Sequence, residues 1–151
     1  MLNGITIRQA IHNDVEAISR LIIATVQQSN AKDYSAAIIA EVAEKFSPDH
    51  VAARMTGRHV FIAGAESMMI GTASLDGAKV RSVFVLPAWQ GRGIGRILMS
   101  HIEELARAQG VPRLEVPASI TAEDFYVRLG YNHLREEYYV AERIIVMEKT
   151  I

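Results

Sequence analysis

The stretch Gln90-Gly91-Arg92-Gly93-Ile94-Gly95-Arg96 constrains this chain more than any other. An apolar run, Val83-Phe84-Val85-Leu86-Pro87, leads into three alternate glycines, and an amphipathic segment leaves them. The run reads as a strand and the segment as a helix. Glycines at this density let backbone N–H groups turn toward one point, and the positive end of the following helix dipole adds to the same place. The result is a phosphate cradle between a strand and a helix. A merely structural turn before a helix needs one glycine, not three.

The rest of the chain supplies a plain background for that cradle. It has 151 residues, half of them apolar, enough for one domain spanning 1–151 with a sizeable core. Lys and Arg total 16 against 17 Asp and Glu, so a net charge of −1 leaves no footprint for nucleic acid. Cysteine is absent, which excludes disulfides, thiolate metal sites and a cysteine nucleophile. The histidines (His12, His50, His59, His101, His133) are scattered, without the carboxylate spacing of a metal site or a triad. No metal is expected. The start, Met1-Leu2-Asn3-Gly4-Ile5-Thr6-Ile7-Arg8, has neither a basic leader nor an apolar core of signal length, and no run approaches a membrane span. A cytoplasmic protein with no membrane partner is the expectation.

Periodicity organises the chain around the cradle. Gly4 to Arg8 alternates as a short strand, and Asn13 with Glu16 resembles a capping box opening a helix along Val15, Ile18, Leu21, Ile22 and Val26. Tyr34 to Phe46 is a second helical pattern, and Pro48 to Met55 a third, ended by Gly57. The period then changes. Arg58 to Ala63, Met69 to Leu75 and Lys79 to Leu86 read as strands, separated by Gly64-Ala65-Glu66-Ser67 and by Asp76-Gly77. Gly93 to Gln109 is the strongest helix, with Ile94, Ile97, Leu98, Ile102 and Leu105 in one stripe, and a Glu103–Arg107 pair on the other face. A strand over Leu114 to Val116, a short helix over Thr121 to Leu129, and strands over Tyr131 to Tyr139 and Arg143 to Lys149 close the chain. This order predicts an α/β (α+β) domain whose mixed, mostly antiparallel sheet of six to seven strands is flanked by helices. A central strand–helix–strand crossover surrounds Gly93 to Gln109.

The cradle fits neither common nucleotide loop. A P-loop needs Lys and then Ser or Thr after its last glycine, whereas Gly95 is followed by Arg96-Ile97. A dinucleotide fingerprint needs glycines at its first, third and sixth positions, and from Gly91 or from Gly93 the sixth is Arg96 or Leu98. Gln90-Gly91-Arg92-Gly93-Ile94-Gly95 does resemble the pyrophosphate motif of the GCN5-related N-acetyltransferase (GNAT) superfamily, entered as there from an apolar strand ending in Pro87. Downstream, Ala118-Ser119-Ile120-Thr121-Ala122-Glu123-Asp124-Phe125-Tyr126-Val127-Arg128-Leu129-Gly130-Tyr131 is similar to the family's second signature. The element order also matches, so the resemblance covers nearly the whole chain.

The resemblance implies a site, residue by residue. The backbone of Val83, Phe84 and Val85 would pair with the pantetheine arm of acetyl-CoA. The pyrophosphate would sit over Gln90, Gly91, Arg92, Gly93, Ile94, Gly95 and Arg96, held by backbone amides, with the two arginines adding charge. Tyr126 would be the general acid that protonates the departing CoA thiolate. Glu115, beside the cofactor strand, or a water chain would take the proton of the attacking amine. Ser119 stands where many relatives carry Asn, and either contacts the cofactor or caps the next helix.

Two function classes follow. The first is an enzyme moving an acetyl group from acetyl-CoA to a primary amine of a small molecule or peptide by direct attack, since no cysteine is available for a covalent intermediate. The second is a non-catalytic acyl-CoA-binding regulatory module; Tyr126 beside the loop favours the enzyme. A longer acyl donor is a third reading. The acceptor pocket is expected from Gln28 to Ala53 and the strands after Gly130, where Glu136, Glu137, Tyr138 and Tyr139 either line it or pair on an edge strand. A homodimer through the terminal strands is compatible with this order.

Overall fold

Alternating apolar residues in the middle of the chain build a sheet, and the helical stripes on either side cover it. In a computed structural model, residues 4–29, 31–139 and 143–151 are described; Met1 to Asn3 and Asn30, used in the reading above, lie outside them. The elements are β1 Thr6–Gln9, α1 Val15–Ser29, α2 Ala36–Glu44, α3 Pro48–Met55, β2 His59–Ala65, β3 Met68–Asp76, β4 Lys79–Val85, α4 Ile94–Ala108, β5 Arg113–Ala118, α5 Glu123–Arg128, β6 Asn132–Tyr138 and β7 Arg143–Thr150. Seven strands form one sheet in the order β1-β2-β3-β4-β5-β7-β6. Every neighbouring pair is antiparallel except β4 with β5, which α4 connects. The mixed sheet and the central crossover are therefore as expected.

Each face of the sheet has its own core. On one face, Leu98, Ile102 and Ala106 of α4 pack with Ile70, Leu75, Val80, Leu114 and Met147, all fully buried. On the other, Ile18, Ile22 and Val26 of α1 and Val51 of α3 pack against Val60 and Ile62 of β2. Fully burying each such side chain is worth about 1.5–3 kcal/mol. Opposite Ala73, β4 carries an extra residue: Thr72 pairs with Phe84 and Ser74 with Arg81, leaving Ser82 and Val83 against one partner. Ser82 takes φ 54° there, a bulge that places Arg81 and Phe84 toward α1 while Val80 and Val83 face α4.

Three local expectations are corrected. The first helix is not opened by an Asn13–Glu16 box: Asp14 accepts from the Ile11 N–H at 2.8 Å and from both terminal nitrogens of Arg8 at 2.8 and 2.9 Å, so its partner comes from the preceding strand. The turn before β3 is shorter than Gly64 to Ser67. Gly64 and Ala65 stay in β2, where a Cβ on Gly64 would meet Thr6 Oγ1 at 3.2 Å, and Glu66 and Ser67 make the turn at φ 53° and 62°. Glu103 does pair with Arg107, but it sits on the buried side of α4 and not on the face opposite the stripe. It is 8% exposed and receives hydrogen bonds from Tyr131 Oη at 2.9 Å and Lys149 Nζ at 3.1 Å, with Arg107 farther off at 3.7 Å.

Candidate active site

The parallel pair is where the sheet opens. β4 and β5 meet at one register position, Lys79 opposite Glu115, where the Glu115 N–H donates to Ala78 O at 3.0 Å. Beyond it the strands part, and a cavity of about 930 Å³ lies between them. Val83, Phe84 and Val85 line one wall and Pro117 and Ala118 the other. Backbone groups of β4 that lose a strand partner can receive an extended ligand arm instead, and Pro117 has no N–H with which to compete.

The glycine loop closes one end of the cavity. Gly91 and Gly93 have φ 77° and 84°, the left-handed region that side chains resist, and Gly93 stands directly before the first turn of α4. Gly95 has a different reason to be glycine: a Cβ there would lie 2.9 Å from Cζ of Phe125, so its hydrogen lets α4 seat against α5. Gln90, Gly91, Gly93, Ile94, Gly95 and Arg96 line the cavity. The Gln90 amide donates to Val85 O at 2.9 Å and Ser29 Oγ at 2.8 Å, tying the loop to β4 and α1. Arg92 is outside the lining, its guanidinium stacked 4.8 Å above Trp89.

Tyr126 of α5 lines the same cavity while only 4% exposed, its ring edge-on to Phe125 and Tyr131 at 5.0 and 5.7 Å. Burial pushes its phenol above the ordinary value near 10, which keeps the proton on. Tyr131 is spoken for by Glu103, whereas Tyr126 makes no side-chain hydrogen bond among the described residues. Ser119 also lines the cavity, and its hydroxyl does not cap the following turn. Just after it, Ile120 N–H donates to Tyr34 Oη at 2.9 Å and Thr121 Oγ1 to Asp33 at 2.7 Å, so the segment before α2 is fastened to the start of α5.

A split parallel pair, a glycine loop at its end and a buried tyrosine thus share one cavity. The acetyltransferase (GNAT) domain family model matches residues 30–151. The chain belongs to the GNAT acetyltransferase family. An uncharacterized N-acetyltransferase of Chlorobaculum tepidum is 25% identical over 122 residues, covering 73% of this chain and 77% of the relative. A crystal structure described as the GCN5-related N-acetyltransferase "Aminotransferase, Class-II" from Rhodopseudomonas palustris superposes with a TM-score of 0.91 at 26% identity, over 100% of this chain and 98% of that one. The PaiA N-acetyltransferase of Thermoplasma acidophilum, solved in complex with coenzyme A, has the same fold, with a TM-score of 0.83 at 19% identity over 97% and 99% of the two chains. The reaction of this GNAT chain is acetyl transfer from acetyl-CoA.

The far end of the GNAT cavity is built from charged side chains. Glu115 lines it and faces Arg135 Nη1 at 3.2 Å, and Arg135 Nε reaches Glu137 at 2.9 Å. Glu137 also accepts from Tyr139 Oη at 2.8 Å, and the Tyr139 and Arg135 donors hold its carboxyl below the usual range. Of the four candidate acceptor residues near the end of the chain, Glu137 and Tyr139 line the cavity. Glu136 and Tyr138 do not: they bond to each other at 3.1 Å, and Glu136 pairs with Arg143 at 2.7 Å. Arg54, Arg58 and Arg81 line it too and were invisible in the sequence, because they sit on separate elements with no shared spacing. The described residues contain no His, Asp or Glu group fit to hold a metal, and no described helix is long and apolar enough to cross a membrane.

Proposed function

We propose that the chain, acting as one catalytic domain over residues 1–151, transfers the acetyl group to a primary amine by direct attack, with Tyr126 as general acid. One observation carries this reading: the buried Tyr126 phenol, pushed above its ordinary value by that burial, lines the gap between β4 and β5. Acetyl-CoA supplies the activated acetyl group as a thioester. The residues that fit it are the edge of Val83, Phe84 and Val85 that faces the gap, the amides of Gly91, Gly93, Ile94 and Gly95, and the Ser119 hydroxyl. Arg96 lines that end, Arg92 adds charge from outside, and Gln90 holds the loop in place. The amine lone pair forms the new C–N bond as the C–S bond breaks, and Tyr126 gives its proton to the sulfur.

The amine must first lose a proton. A side-chain ammonium of pKa ~10.4 is about 4.6 kcal/mol short of its neutral form at pH 7, and a terminal α-amine near pKa ~8 about 1.4 kcal/mol. Glu115, on the cavity wall and ion-paired with Arg135, is the carboxylate we assign to receive this proton, directly or through water. Thiol release from acetyl-CoA across a panel of amines tests the reaction, and Tyr126→Phe tests the acid. The reading holds if the variant loses turnover while retaining cofactor affinity. Full activity of Tyr126→Phe across the pH range would remove the assignment, and cofactor binding with no release by any amine would leave a binding module.

A further inference from the structure

Three arginines from three elements converge at the cavity end opposite the glycine loop. Arg54 lies in the last turn of α3, Arg58 just before β2, and Arg81 on β4. They are partly withdrawn from water: the Arg58 side chain is 17% exposed, and Arg81 Nε is buried with no hydrogen-bond partner among the described residues. Among the described residues the one carboxylate in ion-pair range is Asp76, 3.8 Å from Arg58 Nε and 4.0 Å from Arg81 Nε, too far for a hydrogen bond. Arg54 rests on the Phe46 ring at 5.0 Å. Burial brings Arg54 and Arg58 below their ordinary basicity; the neighbouring guanidiniums add to this, and Asp76 opposes it at Arg58.

Such a group is unfavourable when nothing is bound to it. Each guanidinium loses hydration and repels the others, and none can escape by releasing its proton near neutral pH. An oxyanion satisfies all three, since the arginine fork matches carboxylate and phosphate oxygens. Position decides which molecule brings that oxyanion. Arg81 precedes the Ser82 bulge, whereas Val83 to Val85 and the glycine loop follow it, so the phosphates of acetyl-CoA belong at the other end. The group at the arginines comes from the acceptor. We propose that the acceptor amine itself carries a carboxylate or phosphate-type oxyanion, held by Arg54, Arg58 and Arg81. The assignment rests on the acetyl-transfer reading above, and it disfavours polyamines, whose second ammonium would meet the same positive charge.

The test uses short amines on the full chain with saturating acetyl-CoA: glutamate, γ-aminobutyrate and aminopropylphosphonate against butylamine and putrescine. At least one oxyanion-bearing amine should exceed both comparators in kcat/KM by about tenfold or more, and the better class identifies carboxylate or phosphonate. Arg81→Gln and, separately, Arg58→Gln should bring that ratio toward one, with CoA affinity and melting temperature checked on the same samples. In parallel, glutarate and inorganic phosphate are titrated calorimetrically into wild-type protein saturated with CoA; binding that Arg81→Gln abolishes is expected. Butylamine or putrescine matching the oxyanion-bearing amines would overturn the acceptor assignment and leave acetyl transfer intact. Anion binding at the arginines with no thiol release by any amine would overturn acetyl transfer, and the acceptor assignment with it. Neither anion binding nor turnover would overturn both.

Discussion

The two ends of this cavity are made of different material. At the donor end, one continuous stretch from Val83 to Arg96 offers backbone: a strand edge, glycines in left-handed conformations and a helix start. At the other end, α3, the approach to β2, β4 and β6 each contribute charged side chains: Arg58 and Arg81 face Asp76, Arg135 pairs with Glu115 and Glu137, and Arg54 rests on Phe46. Backbone recognition depends on the fold and little on residue identity, so it suits a co-substrate that never varies. Side-chain recognition can be rewritten one substitution at a time without disturbing the strands. If the ends bind donor and acceptor as proposed, that division would let one fold keep its donor while its acceptor changes.

Substitutions can break or sharpen this contrast. Tyr126 belongs to neither end, and Tyr126→Phe should produce the largest effect, a fall in kcat of about 100-fold, with CoA affinity within about twofold by calorimetry. At the donor end the effect should appear in the fold itself. Gly95→Ala should destabilise by about 1–3 kcal/mol in denaturant titration, because the new methyl collides with Phe125, and Phe125→Leu in the same chain should recover part of the loss. At the acceptor end, Arg58→Gln should leave stability within about 0.5 kcal/mol or raise it, since it relieves repulsion, while changing acceptor preference. A large stability loss there would show the arginines to be structural and would erase the contrast.

The smallest expected effect is in pH. Burial raises the Tyr126 and Tyr131 phenols above their ordinary value near 10, so both stay protonated through the neutral and mildly alkaline range. kcat should show no alkaline fall from tyrosine ionisation below about pH 10. Above it the unfolded chain releases these protons and the folded chain does not, so the melting temperature should drop as pH rises. A fall in kcat centred below pH 9 that Tyr126→Phe removes would contradict the raised value.

What was legible in the sequence was what lies close together along it. The strand, glycine loop and long helix are contiguous, and Tyr126 stands in a local signature, so spacing sufficed to bring these residues to one cavity. Arg54, Arg58 and Arg81 become neighbours only after β2, β3 and β4 pair, and nothing in their spacing announces it. The burial of Glu103 is hidden from the sequence for a related reason. The i,i+4 relation to Arg107 is real, yet the buried stripe of α4 is wide enough to include position 103, where Tyr131 and Lys149 arrive from a distant part of the chain. Its place between Ile102 and Ala106 was the available signal. The cap at Asp14 has no local signature because its partner, Arg8, lies across a bend in the chain.

The bulge at Ser82 sets the reading frame of β4. Before it, odd-numbered side chains face α1; after it, even-numbered ones do, so Arg81 and Phe84 share a face that simple alternation would deny them. Loss of this one residue would restore regular pairing with β3 and exchange the two faces for half the strand. Either the arginine would turn toward α4, or the strand edge leading into the glycine loop would be reversed. On the proposed assignment of the two ends, an insertion or deletion in β4 would therefore disturb both together, whereas a substitution can change one alone.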